Sequence, residues 1–595
     1  MKAFFKYAMA TVVGLFIFVA IYAFILVMAI IGVASMSASS SVEKTEAHSV
    51  YCIDMNGTVS ERVVDDEYAS AMKQAFGQDE TAKYGLNNLL QNIQIAAEDP
   101  NTDGIYLRGG SLAMGRATAE ALRRALVDFK QSGKFIVAYA DHYSQTSYYL
   151  ASCADKLFVN SNGSIDWHGL AITMDFYPRM LKKLGIEMQV VKVGTFKSAV
   201  EPYILTEMSD ANRLQYQVLL DDVWAEQLEA VSASRGISIS ELNNLADRYM
   251  AFQPQADYVT TGMVDSLCYM QDMDTVLTEL TGTEHYVLLT SAWLSQTTKH
   301  AVSNEVAVLY AEGDITDESG DGIVGKKMVK EINALAEDDD VKAVVLRINS
   351  GGGSAYASEQ MHHALMLLKE KKPLVVSMGD YAASGGYYMS CMADYIFAER
   401  TTLTGSIGIF GMIPCLAGTA DMVGLDFDGV KTNQLADLQS NMVLKGMSKE
   451  ERALMQAEIN RGYDLFTLRC AEGRGMTQDQ IKAIGEGRVW SGVRALEIGL
   501  VDSIGGIAAA IDKAVELADI DDDYTLTEYP EEEDMMTKLL NAFSSTVAAF
   551  MPSVRAEKAL EMRIGKAACE SLKALEKMQK ADPIQARIPY DITIE

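Results

Sequence analysis

A serine in the stretch GDYAASGGYYMS, residues 379–390, stands where it could act as a nucleophile. Ser384 lies between small residues and is followed by two glycines. A serine nucleophile needs a base to take its proton, yet no histidine lies nearby in the sequence. The same stretch also fits a tight strand-to-helix turn, because small residues allow close packing and unusual dihedral angles.

Glycines beside this serine could complete a site for acyl transfer. The stretch NSGGGS, residues 349–354, follows the predicted strand AVVLRI. A glycine at a strand end lets a backbone N–H point into a cleft, and the residue after a nucleophile often supplies a second donor. Gly353 and Gly385 are therefore the candidate donors of an oxyanion hole, although an ordinary loop would look the same.

The chain contains an internal duplication. Residues 103–130 align without a gap with residues 342–369, a shift of 239, and the same shift carries residues 148–158 onto residues 387–397. Identical pairs in this register are Leu107/Leu346, Arg108/Arg347, Glu120/Glu359, Ala125/Ala364 and Lys130/Lys369. The period far exceeds that of solenoid repeats, so each copy should be a domain.

The two copies differ at the residues that could do chemistry. Ser384 falls opposite Gln145, the glycine run falls opposite residues 112–114, and Lys197 falls opposite Ala436. A lysine has a reference pKa near about 10.4, and burial among apolar groups lowers it, which turns lysine into a possible general base. Apolar neighbours suit such a role for Lys197, although a surface lysine whose neighbours face inward would have the same pattern.

Other polar residues leave alternatives open. Ser406, in TLTGSIGIFG (residues 402–411), could orient the lysine amine by a hydrogen bond, or could be a turn serine. The chain has no GxSxG motif, which disfavours an α/β-hydrolase. His142 and His168 lie near the serine-equivalent region of the first copy, and spacing does not exclude either as a base.

Composition excludes several classes of function. The formal charge of −30 argues against a nucleic-acid surface, and 595 residues predict two or more domains. The seven cysteines are scattered without a CxxC pair, and HExxH is absent. We therefore expect no metal and no cofactor.

The N-terminal segment predicts a membrane anchor over residues 1–34. An apolar run from about residue 8 to residue 34 has no charged residue and exceeds the roughly 20 residues that cross a bilayer. Lys2 and Lys6 precede the run while Glu43 and Glu46 follow it, which places the body outside the cytoplasm. Cleavage near residues 34–39 is the alternative.

Short β-rich runs alternate with helix-period segments within each copy, which predicts an α/β fold with mainly parallel sheets. The predicted first repeat, with the lysine, covers residues 49–270, and the second repeat, with the serine, covers residues 304–520. Residues 271–303 form a connector. The tail, residues 521–595, has no predicted role, although residues 536–550 suggest an amphipathic helix.

Four stretches resemble the motifs of the signal peptide peptidase A family in its long, duplicated, membrane-anchored form: NSGGGSAYASE, MGDYAASGGYYMS, TLTGSIGIFG and VGTFKSAVEPY. The resemblance implies a Clp/crotonase-like fold of ββα units and a serine endopeptidase with a Ser–Lys dyad. The matching residues would be the nucleophile Ser384, the base Lys197, the lysine-orienting Ser406, and the oxyanion donors Gly353 and Gly385. Two positions depart from the family pattern, Phe196 for a tyrosine and Gly351 for a proline.

The resemblance also implies a homotetramer on the outer, periplasmic face of the inner membrane that degrades remnant signal peptides. Two alternatives stay open. One is a non-catalytic, protease-like scaffold that binds peptides at the membrane. The other is acyl chemistry on a thioester, for which the chain shows no distinctive nucleotide-binding signal.

Overall fold

The computed structural model describes Gly14 and residues 45–63, 82–289, 304–320, 322–520, 524–531 and 584–588. Apart from Gly14, the predicted anchor lies outside these residues, as does the predicted helix at 536–550. Within the described ranges, none of the helices combines the length and the apolar character that crossing a bilayer requires.

The first half of the described chain contains eight strands and nine α-helices. The strands are β1 (Ser49–Ser60), β2 (Ala82–Gly85), β3 (Thr102–Ala113), β4 (Phe135–Tyr143), β5 (Lys156–Ile165), β6 (Glu187–Lys192), β7 (Ser266–Cys268) and β8 (Val287–Leu289). The helices are α1 (Leu86–Glu98), α2 (Arg116–Phe129), α3 (Gln145–Ala151), α4 (Pro178–Lys183), α5 (Glu201–Ile204), α6 (Asp210–Arg235), α7 (Ile239–Asp247), α8 (Gln255–Thr260) and α9 (Met273–Thr281).

The second half repeats this alternation. Its strands are β9 (Glu305–Glu312), β10 (Ile315–Thr316), β11 (Ile323–Val324), β12 (Val341–Ser350), β13 (Gly352–Ser354), β14 (Leu374–Ala383), β15 (Tyr395–Ala398), β16 (Leu403–Gly405), β17 (Phe410–Cys415), β18 (Val489–Ser491), β19 (Ser503–Ile504), β20 (Thr525–Tyr529) and β21 (Ile584–Arg587). Its helices are α10 (Gly325–Glu337), α11 (Ala355–Lys369), α12 (Gly385–Ser390), α13 (Ala417–Val423), α14 (Leu438–Leu444), α15 (Lys449–Arg474), α16 (Gln478–Ile484), α17 (Gly492–Glu497) and α18 (Ile507–Ala518).

Each half has its own central sheet. The first has the strand order β2-β1-β3-β4-β5-β7, with β8 paired to β1, and all its pairs are parallel. The second has the order β18-β16-β14-β12-β9-β20, and only β16–β18 is antiparallel among the pairs described on that path. Parallel strands buried between helices read as near-continuous apolar runs, as VVLRI in β12 does. The prediction of an α/β fold with mainly parallel sheets is confirmed.

A third sheet joins the halves. Its order is β11-β10-β13-β21-β17-β6, so the first half contributes β6 and the tail contributes β21. Strand β6 runs antiparallel to β17 over six paired positions, from Lys192 opposite Phe410 to Glu187 opposite Cys415. This pairing fixes where the chain after β6 enters the second half.

Charged side chains hold the central sheets of the two halves together. Arg347 on β12 makes two hydrogen bonds to the carboxylate of Glu61, at 2.7 and 3.0 Å, and both side chains are buried. Asp380 accepts hydrogen bonds from the backbone of Ala117 (2.8 Å) and Thr118 (3.1 Å) at the start of α2. These contacts fix the first half against the second, which bears on any site that draws residues from both.

Candidate active site

Ser384 occupies a strained turn between β14 and α12. Its φ of 55° is positive, a conformation that side chains other than glycine seldom adopt and that is common at functional sites. The N–H of Ser384 donates to the carbonyl of Gly405 at 2.8 Å, and its own carbonyl accepts the first hydrogen bond of α12, from Tyr388. The strand-to-helix turn expected from the small residues is present.

Lys197 reaches this hydroxyl from the first half. Its Nζ lies 2.7 Å from Ser384 Oγ, although the residues are 187 positions apart in the chain. The same Nζ lies 3.0 Å from Ser406 Oγ and donates to the Ser406 carbonyl at 3.1 Å. The structure therefore brings together the serine, the lysine and the second serine that the sequence singled out.

Burial sets the protonation state of the lysine. Lys197 is 1% exposed, and this desolvation, followed by the charge of Arg587, holds the pKa of its amine well below the ordinary value. A neutral amine can accept a proton from Ser384, while Ser406 Oγ and the Ser406 carbonyl fix its direction. The arrangement can thus activate a serine hydroxyl without a histidine.

Glycines make room for the lysine side chain. A Cβ on Gly487 would lie 2.6 Å from the Lys197 Cβ, and a Cβ on Gly408 would lie 3.3 Å from its Cδ. Gly487 also has a φ of +77°. Both glycines belong to the second half, so the lysine stem fits in a channel that the second half provides.

Gln215 on α6 positions the lysine loop and was not foreseen. Its buried side-chain amide donates to the carbonyl of Phe196 at 3.2 Å and to Ser198 Oγ at 2.9 Å, on either side of Lys197. Its Oε1 accepts from the N–H of Val489 at 3.2 Å. A glutamine within a 26-residue helix gives no signal in the sequence that would have revealed this role.

The two glycines expected to stabilise an oxyanion belong to helix α12 and strand β13. Gly385 follows Ser384 directly, and Gly353 lies in β13, opposite Ala586 of β21. A Cβ on Gly353 would lie 2.0 Å from the Ile315 carbonyl, so only glycine fits against the neighbouring strand β10. The substitution of Gly351 for the usual proline leaves this pairing in place.

The first copy uses its equivalent positions for structure. Gln145, opposite Ser384, accepts from the backbone of His168 and Gly169 and donates to the Gly169 carbonyl, so it fixes a loop. The exposed His142 contacts Ser164, and His168 pairs with Asp166 at 3.5 Å. Among the described contacts, neither histidine joins Ser384, so the hydroxyl has Lys197 as its basic partner.

An α/β protein with a buried amine directed at a serine on a strained turn has the features of a serine-type peptidase. The chain belongs to peptidase family S49, whose model matches residues 128–284 and 366–521. It is 33% identical to "Protease 4" of Salmonella typhi over 89% of this chain and 87% of the relative. It is 30% identical to "Serine protease SPPA, chloroplastic" of Arabidopsis thaliana over 78% and 70%. The expected duplicated SppA-type protease is confirmed.

The similarity to solved structures is more distant. A ClpP1 variant from Listeria monocytogenes is 16% identical and matches 34% of this chain and 94% of its own, with a TM-score of 0.24. A match of this extent carries no argument about the fold. The Clp/crotonase-like assignment therefore stays a prediction.

Proposed function

We propose that this serine-type peptidase is an endopeptidase in which Ser384 is the nucleophile and Lys197 the general base. The observation that carries the proposal is the 2.7 Å contact between Lys197 Nζ and Ser384 Oγ in a site where the amine is buried. Nucleophile and base within hydrogen-bond reach, with the base oriented by a third group, is the arrangement that serine catalysis needs.

The geometry supports a two-step reaction. Ser384 Oγ attacks the carbonyl carbon of a peptide bond while neutral Lys197 takes the hydroxyl proton. The resulting oxyanion is stabilised by the backbone N–H groups of Gly353 and Gly385, each worth about 100- to 1000-fold in rate. Protonated Lys197 then gives its proton to the leaving amine, and water hydrolyses the acyl-enzyme by the same route in reverse.

The proposed substrates are remnant signal peptides. The proposed enzyme is a homotetramer that is anchored through residues 1–34 and lies on the periplasmic face of the inner membrane. The apolar N-terminal run supports the anchor. The groove between β13 and β17 supports a peptide substrate, because strand β21 of the tail pairs there with both neighbouring strands. Such a groove takes extended chains, because main-chain hydrogen bonds supply the affinity. Protease digestion of spheroplasts tests the orientation, since a cytoplasmic body would be protected.

Substitution of the two reacting residues tests the mechanism. Ser384→Ala and Lys197→Ala should each lower kcat/KM for a fluorogenic peptide by about 1000-fold or more, and the double variant should be no worse than either. Lys182→Ala, at an exposed lysine of α4, is the control and should keep full activity. Near-normal turnover by Lys197→Ala would refute the lysine base.

The scaffold alternative makes the opposite prediction. A non-catalytic peptide-binding protein would bind a signal peptide with similar affinity in the wild type and in Ser384→Ala, and would hydrolyse it in neither. Intact peptide after prolonged incubation with the wild type would favour that alternative.

A further inference from the structure

A short turn, residues 485–488, lies against the loop that carries Lys197. The turn connects α16 to β18. Within it, the carbonyl of Glu486 accepts the N–H of Phe196 at 3.0 Å. A Cβ on Gly194 would lie 2.3 Å from the same carbonyl oxygen, so the two segments are in close contact. The turn therefore holds the backbone immediately before the lysine.

The same turn also binds the segment that carries Ser406. The N–H of Ser406 donates to the Arg488 carbonyl at 2.7 Å. The N–H of Gly487 donates to the carbonyl of Ile407, the next residue of that segment, at 2.8 Å. One turn thus contacts both segments whose polar groups meet at the lysine amine.

A hydrogen bond from Ser406 to this turn sets the direction of the hydrogen bonds around the amine. Ser406 Oγ donates to the Gly487 carbonyl at 3.3 Å, which leaves its lone pairs to accept one N–H of Lys197 at 3.0 Å. The second N–H of the neutral amine can donate to the Ser406 carbonyl at 3.1 Å. The lone pair of the nitrogen then remains for the proton of Ser384, whose Oγ is 2.7 Å away. This is the orientation that a general base requires.

Unusual backbone conformations fix the turn in place. Glu486 has a φ of 53°, which residues other than glycine seldom adopt, and Gly487 follows with a φ of +77°. The N–H of Glu486 donates to the hydroxyl of Tyr463 on α15 at 3.2 Å. Strain of this kind persists only where the surrounding contacts over-determine the conformation. The turn is therefore a rigid support for the segments that it binds.

The guanidinium of Arg488 lies between two aromatic rings. Its central carbon is 4.1 Å from the ring centroid of Trp490 and 5.0 Å from that of Phe196. Its Nε is buried without a hydrogen-bond partner in the described part of the chain, and burial lowers the pKa of the group. Because ring faces attract a cation, the stack compensates for the lost hydration. The stack fixes the Phe196 ring one position before Lys197.

We propose that Arg488 is a positioning residue that holds the Lys197 amine within reach of Ser384. It acts through the ring of Phe196 and through the turn of residues 485–488. This inference rests on the proposed Ser384–Lys197 mechanism. Without the stack fewer contacts hold the lysine loop, so the amine moves away from Ser384 Oγ and water reaches it. Both changes lower the rate of the reaction and leave peptide binding unchanged.

Arg488→Met tests the proposal, because it keeps a long side chain and removes the cation. Its kcat for a fluorogenic peptide should fall about 10- to 100-fold with KM unchanged. The midpoint of its pH profile should move upward, because water at the amine raises the pKa of Lys197 toward its ordinary value. Arg488→Lys keeps a cation between the rings and should recover part of both effects. Arg461→Met, at an exposed arginine of α15, is the control and should match the wild type.

Two substitutions of the ring give a comparison in which no charge changes. Phe196→Leu removes the ring face and should lower kcat and raise the pH midpoint as Arg488→Met does. Phe196→Tyr keeps the ring face, with the residue that the family pattern has there, and should retain activity. Within the described residues, the charge that acts on the Lys197 amine is that of Arg587. A shifted midpoint in Phe196→Leu therefore reports hydration of the amine.

A double-mutant cycle measures whether the two residues act together. If Arg488 acts through Phe196, the double variant Arg488→Met/Phe196→Leu should be no slower than the slower single variant. Losses that multiply in the double variant would show independent effects and would overturn the proposal.

Measurement of Tm on the same samples separates positioning from folding. Activity that falls only with the folded fraction, at an unmoved pH midpoint, would show a structural role and overturn this inference. Wild-type kcat in Arg488→Met would overturn it too, and if that variant does not fold, the same criteria apply to Phe196→Leu. The proposed function survives these outcomes as long as Lys197→Ala is inactive. Near-normal turnover by Lys197→Ala refutes the proposed function and this inference together.

Discussion

At the scale of single residues, Lys197 can serve as a base because the fold keeps water away from its amine. An exposed lysine would be protonated at neutral pH and could not accept the proton of a serine. Desolvation penalises the charged amine, and the nearby positive charge of Arg587 adds to that penalty. The hydrogen-bonding groups of Ser406 then hold the neutral amine toward Ser384 without restoring its charge.

This depressed pKa predicts the pH dependence of hydrolysis. Below its pKa Lys197 is protonated and cannot act as a base; above it the amine is neutral, so kcat/KM should rise with pH through one ionisation. The measurement is a pH profile on a fluorogenic peptide. A rise centred near about 6.5 that disappears in His142→Gln or His168→Gln would instead indicate a histidine base.

Ser406 should act through the position of the lysine amine. Ser406→Ala removes the hydroxyl 3.0 Å from Lys197 Nζ and should lower kcat roughly 10- to 100-fold with KM unchanged, because a misplaced base costs rate and not binding. Ser390→Ala is the control, since that buried hydroxyl donates to the Gly386 carbonyl. An equal loss in both variants would show a general packing effect.

The sequence singled out the two residues of the proposed mechanism for a physical reason. Two copies of one domain can be compared position by position, and Ser384 and Lys197 stand where the copies differ in chemistry. The supporting contacts gave no such signal: Gln215 approaches the lysine loop from helix α6, and Gly487 approaches the lysine from the second half of the chain. Which segments meet is decided by tertiary packing, and a single sequence does not display it.

At the scale of elements, the site depends on a groove between β13 and β17. Gly352 in β13 has a φ of +99°, and a Cβ there would lie 2.1 Å from the Ala586 oxygen. The groove therefore needs glycine both for its backbone conformation and for the close approach of a peptide carbonyl. Glycine runs commonly serve one of these purposes, and Gly352 serves both.

Replacement of Gly352 should affect both peptide hydrolysis and folding, and two measurements distinguish the two effects. Gly352→Ala should lower kcat/KM by about 100-fold or more, because the new methyl group occupies the place of the substrate carbonyl beside the oxyanion donors. The positive φ adds a cost of about 1–2 kcal/mol to folding. The measurements are peptide hydrolysis and Tm.

Gly351→Ala is the matched control for that experiment. Its Cβ would meet only side-chain atoms of Ile588, at 2.8 and 3.1 Å, and its φ is not positive. We expect it to keep most of the activity. Equal losses in the two variants would show that the whole loop, and not the approach at Gly352, matters.

The tail strand β21 could not be predicted from its sequence. Four residues are too few to show a period-2 pattern. Strand β21 exists as a strand because β13 and β17 offer it unpaired edges on both sides. The extended conformation of β21 thus depends more on its pairing with β13 and β17 than on its own sequence.

At the scale of the whole molecule, the proposed mechanism requires the two halves to stay in register. Lys197 comes from the first half and Ser384 from the second, and their contact tolerates little displacement. The two arginines that align between the copies bind different carboxylates. Arg108 pairs with Asp54 of its own half at 3.3 Å, whereas Arg347 binds Glu61 of the other half.

Loss of this buried pair should uncouple the halves. Arg347→Met leaves the Glu61 carboxylate buried without its partner, which should cost about 3–5 kcal/mol and lower both Tm and activity. The double variant Glu61→Met/Arg347→Met removes both charges and should regain most of the lost stability, since hydrophobic replacements of buried pairs are often neutral. Differential scanning fluorimetry and peptide hydrolysis on the same samples measure the two effects. Activity that follows Tm across these variants would support positioning by the interface, and an inactive but fully stable double variant would show that the charges themselves are needed.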